Sequence, residues 1–513
     1  MKQRLSISTR QKLLAGHAGA GIVLSYFLYL SIFFGLFAIF LPFLQTWEKP
    51  SRHFPLAGIT AIRYEPMLAR VLSDPDIPKD RIFINVPGLR GDPALIIHHM
   101  FSKKYLFDPN TGRQITDEGR TTQLAWFLNG MHYGRPLMKP GIIFFGLVST
   151  GALFLVAGGL VLVWGVTYKT TGRTRRGRYS HLHRKIFIWI CPVFLLILIC
   201  ATVMGVSFDG MGPMTRMVTK GCQADIRPMI GPVLFPEEKA EPAAGETVPM
   251  LPIARLVKKG QNAAPHLKIQ RLVLYNWGDK TARIQLEGTD RSAPFLTGVA
   301  NTPYIILNAV DGTVLKAVKT TDRPWPVLLT EGIYSIHLLF GVNIYLRLSV
   351  FMAAVACLIA VGCGIMLHLE KQVRKFKGPT PFYHWLEKFS LAFMIGVIPA
   401  TGLLFNLQWL LPFDLKDRLV WHQGLFFDLW AATLFWSFYK VDTRGTAQQF
   451  LGLGGVLFLL APVLHLLKTG ISPLTLFQNH MTHILWVDAG LVFLGLVLTA
   501  AAVKGGGSRC LKK

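Results

Sequence analysis

Eight stretches of the chain run for about twenty residues with almost no charge, the length a helix needs to cross a hydrocarbon core of roughly 30 Å. They fall at 18–45, 141–167, 186–208, 338–367, 388–411, 420–439, 450–468 and 484–503. The first opens behind Lys2, Arg4, Arg10 and Lys12, is too long for a signal-peptide core and lacks a small-residue cleavage site, so it is expected to remain as an anchor. The segment between the second and third runs, YKTTGRTRRGRYSHLHRK, carries seven basic residues and no acid; EKQVRKFK follows the fourth run, and the tail reads KGGGSRCLKK. Short basic loops stay on the cytoplasmic side. Both termini are therefore expected inside, and the long segments 46–135 and 209–335 outside.

The two outer segments show a different pattern. In KKYLFDPNTGRQITDEG a strand-like piece around Tyr105, Leu106 and Phe107 meets a turn rich in Pro, Asn and Gly, then a second short strand. TPYIILNAVDGTVLKAV repeats the design around Asn308, Asp311 and Gly312, whereas PEEKAEPAAGETVPML has the composition of a flexible connector. The expected fold is an all-α polytopic membrane protein of about eight transmembrane helices with two small α+β extracytoplasmic modules. Its divisions are 1–45 (terminus and first span), 46–135 (first module), 136–208 (two spans and their basic loop), 209–335 (second module), 336–370 (fourth span), 380–505 (four further spans) and 506–513 (tail).

Composition agrees: of 513 residues, 51% are hydrophobic and 16% charged, the balance of a chain that lives in lipid. The net charge of +26 would suggest nucleic acid if it lay in a soluble domain, but the basic residues cluster at the ends of apolar runs and read as topology instead. Of six cysteines, Cys191, Cys200, Cys357 and Cys363 sit in apolar runs, Cys510 in the tail and Cys222 alone in an outer segment, so no outer disulfide can pair within one chain.

Chemistry is concentrated in the histidines. His17 and His183 stand just inside the first and third runs at the inner face; His132 and His337 precede the second and fourth at the outer face. One unit thus repeats: inner histidine, span, outer module, outer histidine, span. Such repetition suggests duplication. A low-spin b-type haem takes two axial imidazoles from different helices, and two pairs, one per face, would stack two haems across the bilayer. His384 and His422 follow the pattern without a large module and are candidates for a third. Arg184 and Arg347 are candidates to pair with haem propionates, and Gly16, Gly19 and Gly341 to let a flat ring approach the backbone. A histidine at the end of a membrane helix is often only an interfacial side chain, which is the expectation for His181, His368, His465, His480 and His483. His98 and His99 are expected as solvated side chains of the first module.

LNGMHYGRPLMKPGIIFFGLVSTGALFLVAGGLVLVW, with Gly159 and Trp164 near its end, resembles the histidine-led second helix of the PepSY-associated transmembrane proteins. IHLLFGVNIYLRLSVFMAAVACLIAVGCGIML is similar to that family's fourth helix, and HLHRKIFIWICPVFLLILICATVMG to its third. The likeness covers about residues 10–370, and the outer hairpins look like divergent PepSY modules. The family includes ferric-siderophore reductases of the bacterial inner membrane. The resemblance implies transmembrane electron transfer through b haems to a ferric complex outside, with His17 and His183 holding the inner haem and His132 and His337 the outer one.

No GxGxxG follows a strand and no P-loop is present, so electrons are expected from a partner, a membrane quinol or a cytoplasmic reductase. The expected partners are a periplasmic ferric complex, the lipid and that donor, with no nucleic acid. Two other classes fit parts of the pattern. Met211, Met214 and Met217 in MGPMTRM could hold Cu(I) in a copper or iron transporter, and a non-catalytic sensor or assembly factor would use the outer modules alone.

Overall fold

In the computed structural model, which describes residues 6–99, 103–116, 123–164, 174–207, 211–222, 241–339 and 341–506, each half of the outer sequence is framed by a pair of long helices. The first half runs α1 (Ile7–Ala38), α2 (Leu41–Trp47), α3 (Tyr64–Leu72), β1 (Arg81–Asn85), β2 (Leu95–His98), β3 (Lys104–Phe107), β4 (Gln114–Ile115), α4 (Leu124–His132) and α5 (Met138–Val163). The second runs α6 (Arg175–Ser207), α7 (Met211–Val218), α8 (Ile253–Ala263), β5 (Leu267–Tyr275), β6 (Arg283–Asp290), β7 (Tyr304–Asn308), β8 (Val314–Val318), α9 (Trp325–Leu338) and α10 (Ile344–Lys375). Six helices follow: α11 (Pro381–Met394), α12 (Val397–Leu410), α13 (Arg418–Tyr439), α14 (Thr443–Thr469), α15 (Pro473–Gln478) and α16 (Thr482–Gly506).

Among the described residues, seven helical segments are long and apolar enough to cross a membrane: α1, α5, α6, α10, the tandem α11–α12, α14 and α16. The eighth expected run, 420–439, is a helix but falls short in apolar character, because α13 carries Arg418, His422, Gln423 and Asp428. It lies antiparallel to the tandem. Ser437 Oγ donates to the Lys388 carbonyl at 3.0 Å, Trp430 Nε1 to Ala392 at 3.1 Å and Arg418 Nη2 to Gln408 at 2.6 Å. Protein rather than lipid thus meets part of its polar surface, and 83% of the most apolar window of the tandem is buried. Small residues bring α5 and α6 together: a Cβ on Gly146 would sit 3.0 Å from the Gly205 carbonyl.

The two outer segments do not form two modules. They share one eight-stranded sheet of order β4-β3-β2-β1-β5-β6-β7-β8, in which every neighbouring pair is antiparallel. At its centre β1 pairs with β5, Phe83 opposite Val273. Each half is a meander of strands whose inward faces are rich in Ile, Leu, Val and Phe, too small to close a core by itself, and α3 and α8 cover the same continuous apolar layer. Glu65 of α3 accepts the backbone N–H of Ile253 at 2.8 Å, fixing the start of α8.

Both expected hairpins form, and they are built alike. Asp108 and Asn308 accept the backbone N–H two residues on, from Asn110 at 2.9 Å and Val310 at 2.8 Å. Gly112 and Gly312 then donate to the carbonyls of Asp108 and Asn308 with φ of +71° and +75°. Of the expected flexible connector, 236–240 lies outside the described residues, while 241–251 is pinned. Ala244 and Gly245 N–H groups donate to Asp279 at 3.0 and 2.7 Å, and Thr247 bridges to Asp279. Thr281, through its N–H and hydroxyl, and then those two amides hold the Asp279 carboxyl down to about 2.

Gly112 needs its left-handed backbone but has open space where a Cβ would go. Gly112→Ala is therefore expected to cost about 1–2 kcal/mol through backbone strain alone. Gly58→Ala, equally open and without positive φ, should stay within roughly 0.5 kcal/mol of the parent. Thermal unfolding of the purified full-length protein compares the two.

Candidate functional site

The four expected histidines come together in two pairs. His17 on α1 and His183 on α6 have ring centroids 6.5 Å apart at an interplanar angle of 70°; His132 ending α4 and His337 in the last turn of α9 are 6.0 Å apart at 30°. Two metal–nitrogen bonds of about 2 Å plus the two ring radii place the centroids of collinear axial imidazoles roughly 6.3 Å apart. Both pairs match that span.

Neighbouring helices set the tautomers. A carbonyl oxygen can only accept, so a ring nitrogen facing one must carry its proton. His132 Nδ1 donates to Ser31 O of α1 at 2.6 Å, His183 Nδ1 to Ala360 O of α10 at 2.8 Å and His337 Nδ1 to Ile197 O of α6 at 3.3 Å. The lone pair is left on Nε2 in all three, the arrangement a ligating histidine needs. His17 Nδ1 is buried without a hydrogen-bond partner. Burial also holds both outer rings below the ordinary imidazole value, His337 down to about 4 with a further contribution from His132, so the outer pair is neutral at physiological pH.

Glycines seat three of the rings. A Cβ on Gly35 would lie 3.0 Å from His132 Nδ1, on Gly364 3.1 Å from His183 Cε1 and on Gly159 3.3 Å from His17 Cε1. The glycines expected for this task, Gly16, Gly19 and Gly341, have nothing within 4 Å; Gly341 instead supplies a left-handed turn, φ +68°, between α9 and α10.

Each pair borders its own cavity. The inner one, about 1720 Å³, is walled by apolar side chains of α1, α5, α6 and α10 and by Arg10, Arg176, Arg184 and Lys371, with no acid among the described residues that line it. The outer one, about 1020 Å³, reaches from the histidines past Trp126 and Phe145 to the sheet, where Lys49, Arg90, Lys104 and Arg271 line it beside Glu287 and Asp92. Phe194 of α6 borders both. Fourteen residues separate His17 from Ser31 on α1, and fourteen separate His183 from Ile197 on α6. At 1.5 Å per residue the pairs lie about 21 Å apart along the helices.

Other expectations change. Arg347 is buried and lines neither cavity; its terminal nitrogens donate to Ile39 O and, at 2.8 Å, to Leu339 O, so it clamps helix ends and is not placed to meet a propionate. Arg184 does line the inner cavity. His384 is exposed near Glu387, while His422 is buried with both ring nitrogens unbonded at the other end of the α11–α13 hairpin; the two are not brought together. His98 stacks on Phe83 at 5.3 Å and faces the outer cavity, and His99 lies 3.4 Å from Asp80, so neither is simply solvated. His465, expected at an interface, is 1% exposed and bound to Asp488. His368 borders the inner cavity. In MGPMTRM the side chains of Met211 and Met214 lie outside the described residues, and Met217 is exposed. Cys510 and the tail from 507, like loop residues 165–173, also lie outside them. Among the described residues no three His, Cys, Asp or Glu side chains gather as a metal site.

Fold and site define a multi-pass membrane protein with one pair of facing imidazoles toward each membrane face. The model of the PepSY-associated TM region matches residues 14–371, the part of the chain that contains both pairs, and the chain belongs to that family. It is similar to an uncharacterized protein of Pseudomonas aeruginosa, 25% identical over 351 residues that cover 64% of this chain and 83% of that protein.

The glycine seats generate a test. Gly35→Val should push the His132 ring off Ser31 and disturb the outer pair only, and Gly364→Val the inner pair only. The imidazole resonances of His132 and His183 in selectively labelled protein report which ring has moved.

Proposed function

We propose that this protein is a haem b-containing membrane reductase that passes single electrons from its inner face to a ferric complex outside, Fe(III) becoming Fe(II). The observation that carries this reading is the spacing of the two imidazole pairs together with the free Nε2 lone pairs beside a cavity at each face. Haem b, when bound, supplies a one-electron Fe(III)/Fe(II) couple. The chain's own residues do the rest. His17 and His183 would hold the inner group and His132 and His337 the outer one, with backbone carbonyls fixing ring orientation. Apolar side chains of α1, α5, α6 and α10 exclude water, and Arg184 offers a charge-assisted donor to a propionate.

The ferric complex is substrate, not resident cofactor. Oxygen chelators of siderophore type bind Fe(III) far better than Fe(II) and are commonly anionic, so one added electron loosens the metal. Lys49, Arg90, Lys104 and Arg271 at the sheet end of the outer cavity suit such an anion. The cation-lined inner cavity suits a donor with an anionic or polar headgroup, a quinol or a cytoplasmic reductase. The basic loops argue for the bacterial inner membrane with both termini in the cytoplasm.

Purified full-length protein is expected to contain two haems per chain by pyridine haemochrome, with the reduced α band of six-coordinate haem b. His132→Ala or His337→Ala should leave one haem, as should His17→Ala or His183→Ala, and each should slow Fe(III) reduction outside reductant-loaded vesicles at least tenfold. Colourless protein, or haem unchanged in all four variants, would overturn the reading.

A further inference from the structure

We propose a second, separate site: His53 and His465 bind one soft monovalent metal ion, copper(I), between them. Neither residue belongs to the two pairs above, and the inference does not depend on haem. His53 follows α2, capping the short 3-10 turn Pro50–Arg52, and His465 lies near the end of α14. Their ring centroids are 5.2 Å apart and nearly perpendicular, at 85°.

The hydrogen bonds fix both tautomers toward one another's need. His53 Nε2 faces the Trp47 carbonyl at 3.2 Å and must donate, leaving the lone pair on Nδ1. His465 Nδ1 donates to the Asp488 carboxylate at 2.9 Å, leaving the lone pair on Nε2. His53 Nδ1 and His465 Nε2 are both buried and have no hydrogen-bond partner. Two buried lone pairs on neighbouring rings call for a shared electrophile. Asp488, which also accepts Trp47 Nε1 at 2.8 Å, adds the carboxylate that orients a ligating histidine and one negative charge to balance a monocation.

The surroundings select the ion. Trp47 and Trp409 rings lie 5.5 and 4.8 Å from the His465 ring, and Trp409 is 6.2 Å from His53. Indole faces favour a weakly hydrated cation, while an ion that keeps its waters or needs four protein ligands finds no group of three His, Cys, Asp or Glu side chains able to hold it among the described residues, Asp488 being engaged by the Nδ1 side of His465. Imidazole is a good copper ligand, and copper(I) is stable with only two. A porphyrin does not fit here. The rings are about 1 Å closer than a collinear pair requires, so an ion held by both sits in a bent nitrogen–metal–nitrogen angle.

The test uses full-length purified protein, anaerobic, titrated with copper(I) against bicinchoninate, with haem counted in the same samples. Expected is one copper(I) per chain, weakened at least tenfold in His53→Gln, His465→Ala and Asp488→Asn while haem content stays at the parent value. His53 is a loop residue, so His53→Gln remains informative where His465→Ala fails to fold. X-ray absorption at the copper edge should show two nitrogen donors in the parent and the loss of one of them in His53→Gln. Absence of stoichiometric copper, or equal affinity in parent and His53→Gln, would overturn the site and leave the rings to a shared proton or water. Zinc outcompeting copper(I) at the same residues would overturn the choice of ion.

Discussion

The hydrogen bond from a histidine Nδ1–H to a main-chain carbonyl of another helix is the constraint on which the site depends. It recurs at His132, His183 and His337, reaching α1, α10 and α6 in turn. Each carbonyl already belongs to a helical backbone that is held by its own ladder, so the acceptor is rigid and the ring takes its orientation from the bundle rather than from its own short helix. Without that bond an imidazole in an apolar setting would be free to flip, and either nitrogen could face its partner. With it, three lone pairs point away from the donated proton, and pairing becomes a property of helix placement.

Helix placement in turn rests on packing against the long helices and on two buried carboxyl groups. α4 and α9 carry the outer histidines but are only 9 and 14 residues long and lie outside the long spans. α4 packs against α1 and α2, while α9 packs against α6 and the turn Pro294–Leu296 that follows β6. Glu331 of α9 accepts the backbone N–H groups of Val299, Ala300 and Asn301, and Glu48 at the end of α2 accepts that of Ala125 at the start of α4. A buried carboxyl group thus ties α9 to the loop beside it and α4 to the end of α2. Burial raises the Glu48 carboxyl to about 8, so near neutral pH it is mostly protonated and accepts the Ala125 N–H as a neutral acid.

Much of this was legible beforehand because the signals are local. Apolar runs of bilayer length, basic loops and two Asx–Gly turns depend on residues within one window, and the helices and hairpins formed where they indicate. Four histidines in register with four spans were visible for the same reason. What stayed hidden depends on contacts between distant parts of the chain. Strand β1 pairs with β5 nearly two hundred residues away, so the fusion of the outer segments has no signature in either one. Gly35 is a ring seat only because α4 folds back on α1, and Arg347, which reads as a cation near a histidine, is drawn to two carbonyls at helix ends. His53 sits in the polar stretch KPSRHF and gives no sign of burial until α14 brings His465 beside it.

The last six helices make sense as protein solvent for a polar interior. α13 is too polar to face lipid along its length, and the tandem α11–α12 is covered on nearly all sides, so the two stabilise each other in a way neither would in a bilayer alone. Gly396 at the break in the tandem lets Thr433 of α13 approach where a Cβ would collide. Of the polar groups this arrangement encloses, Asn406, Gln408 and Arg418 donate to the main-chain carbonyls of Leu457, Glu48 and Gln408, while Asn406 Oδ1 and Arg418 Nη1 are buried without a hydrogen-bond partner. Gln408 reaches Glu48, and Trp47 reaches Asp488, so the region 380–506 is bonded to the segment that carries α4 and its histidine. The added helices therefore bear on the outer pair mechanically, through α2, whatever ligand they hold themselves.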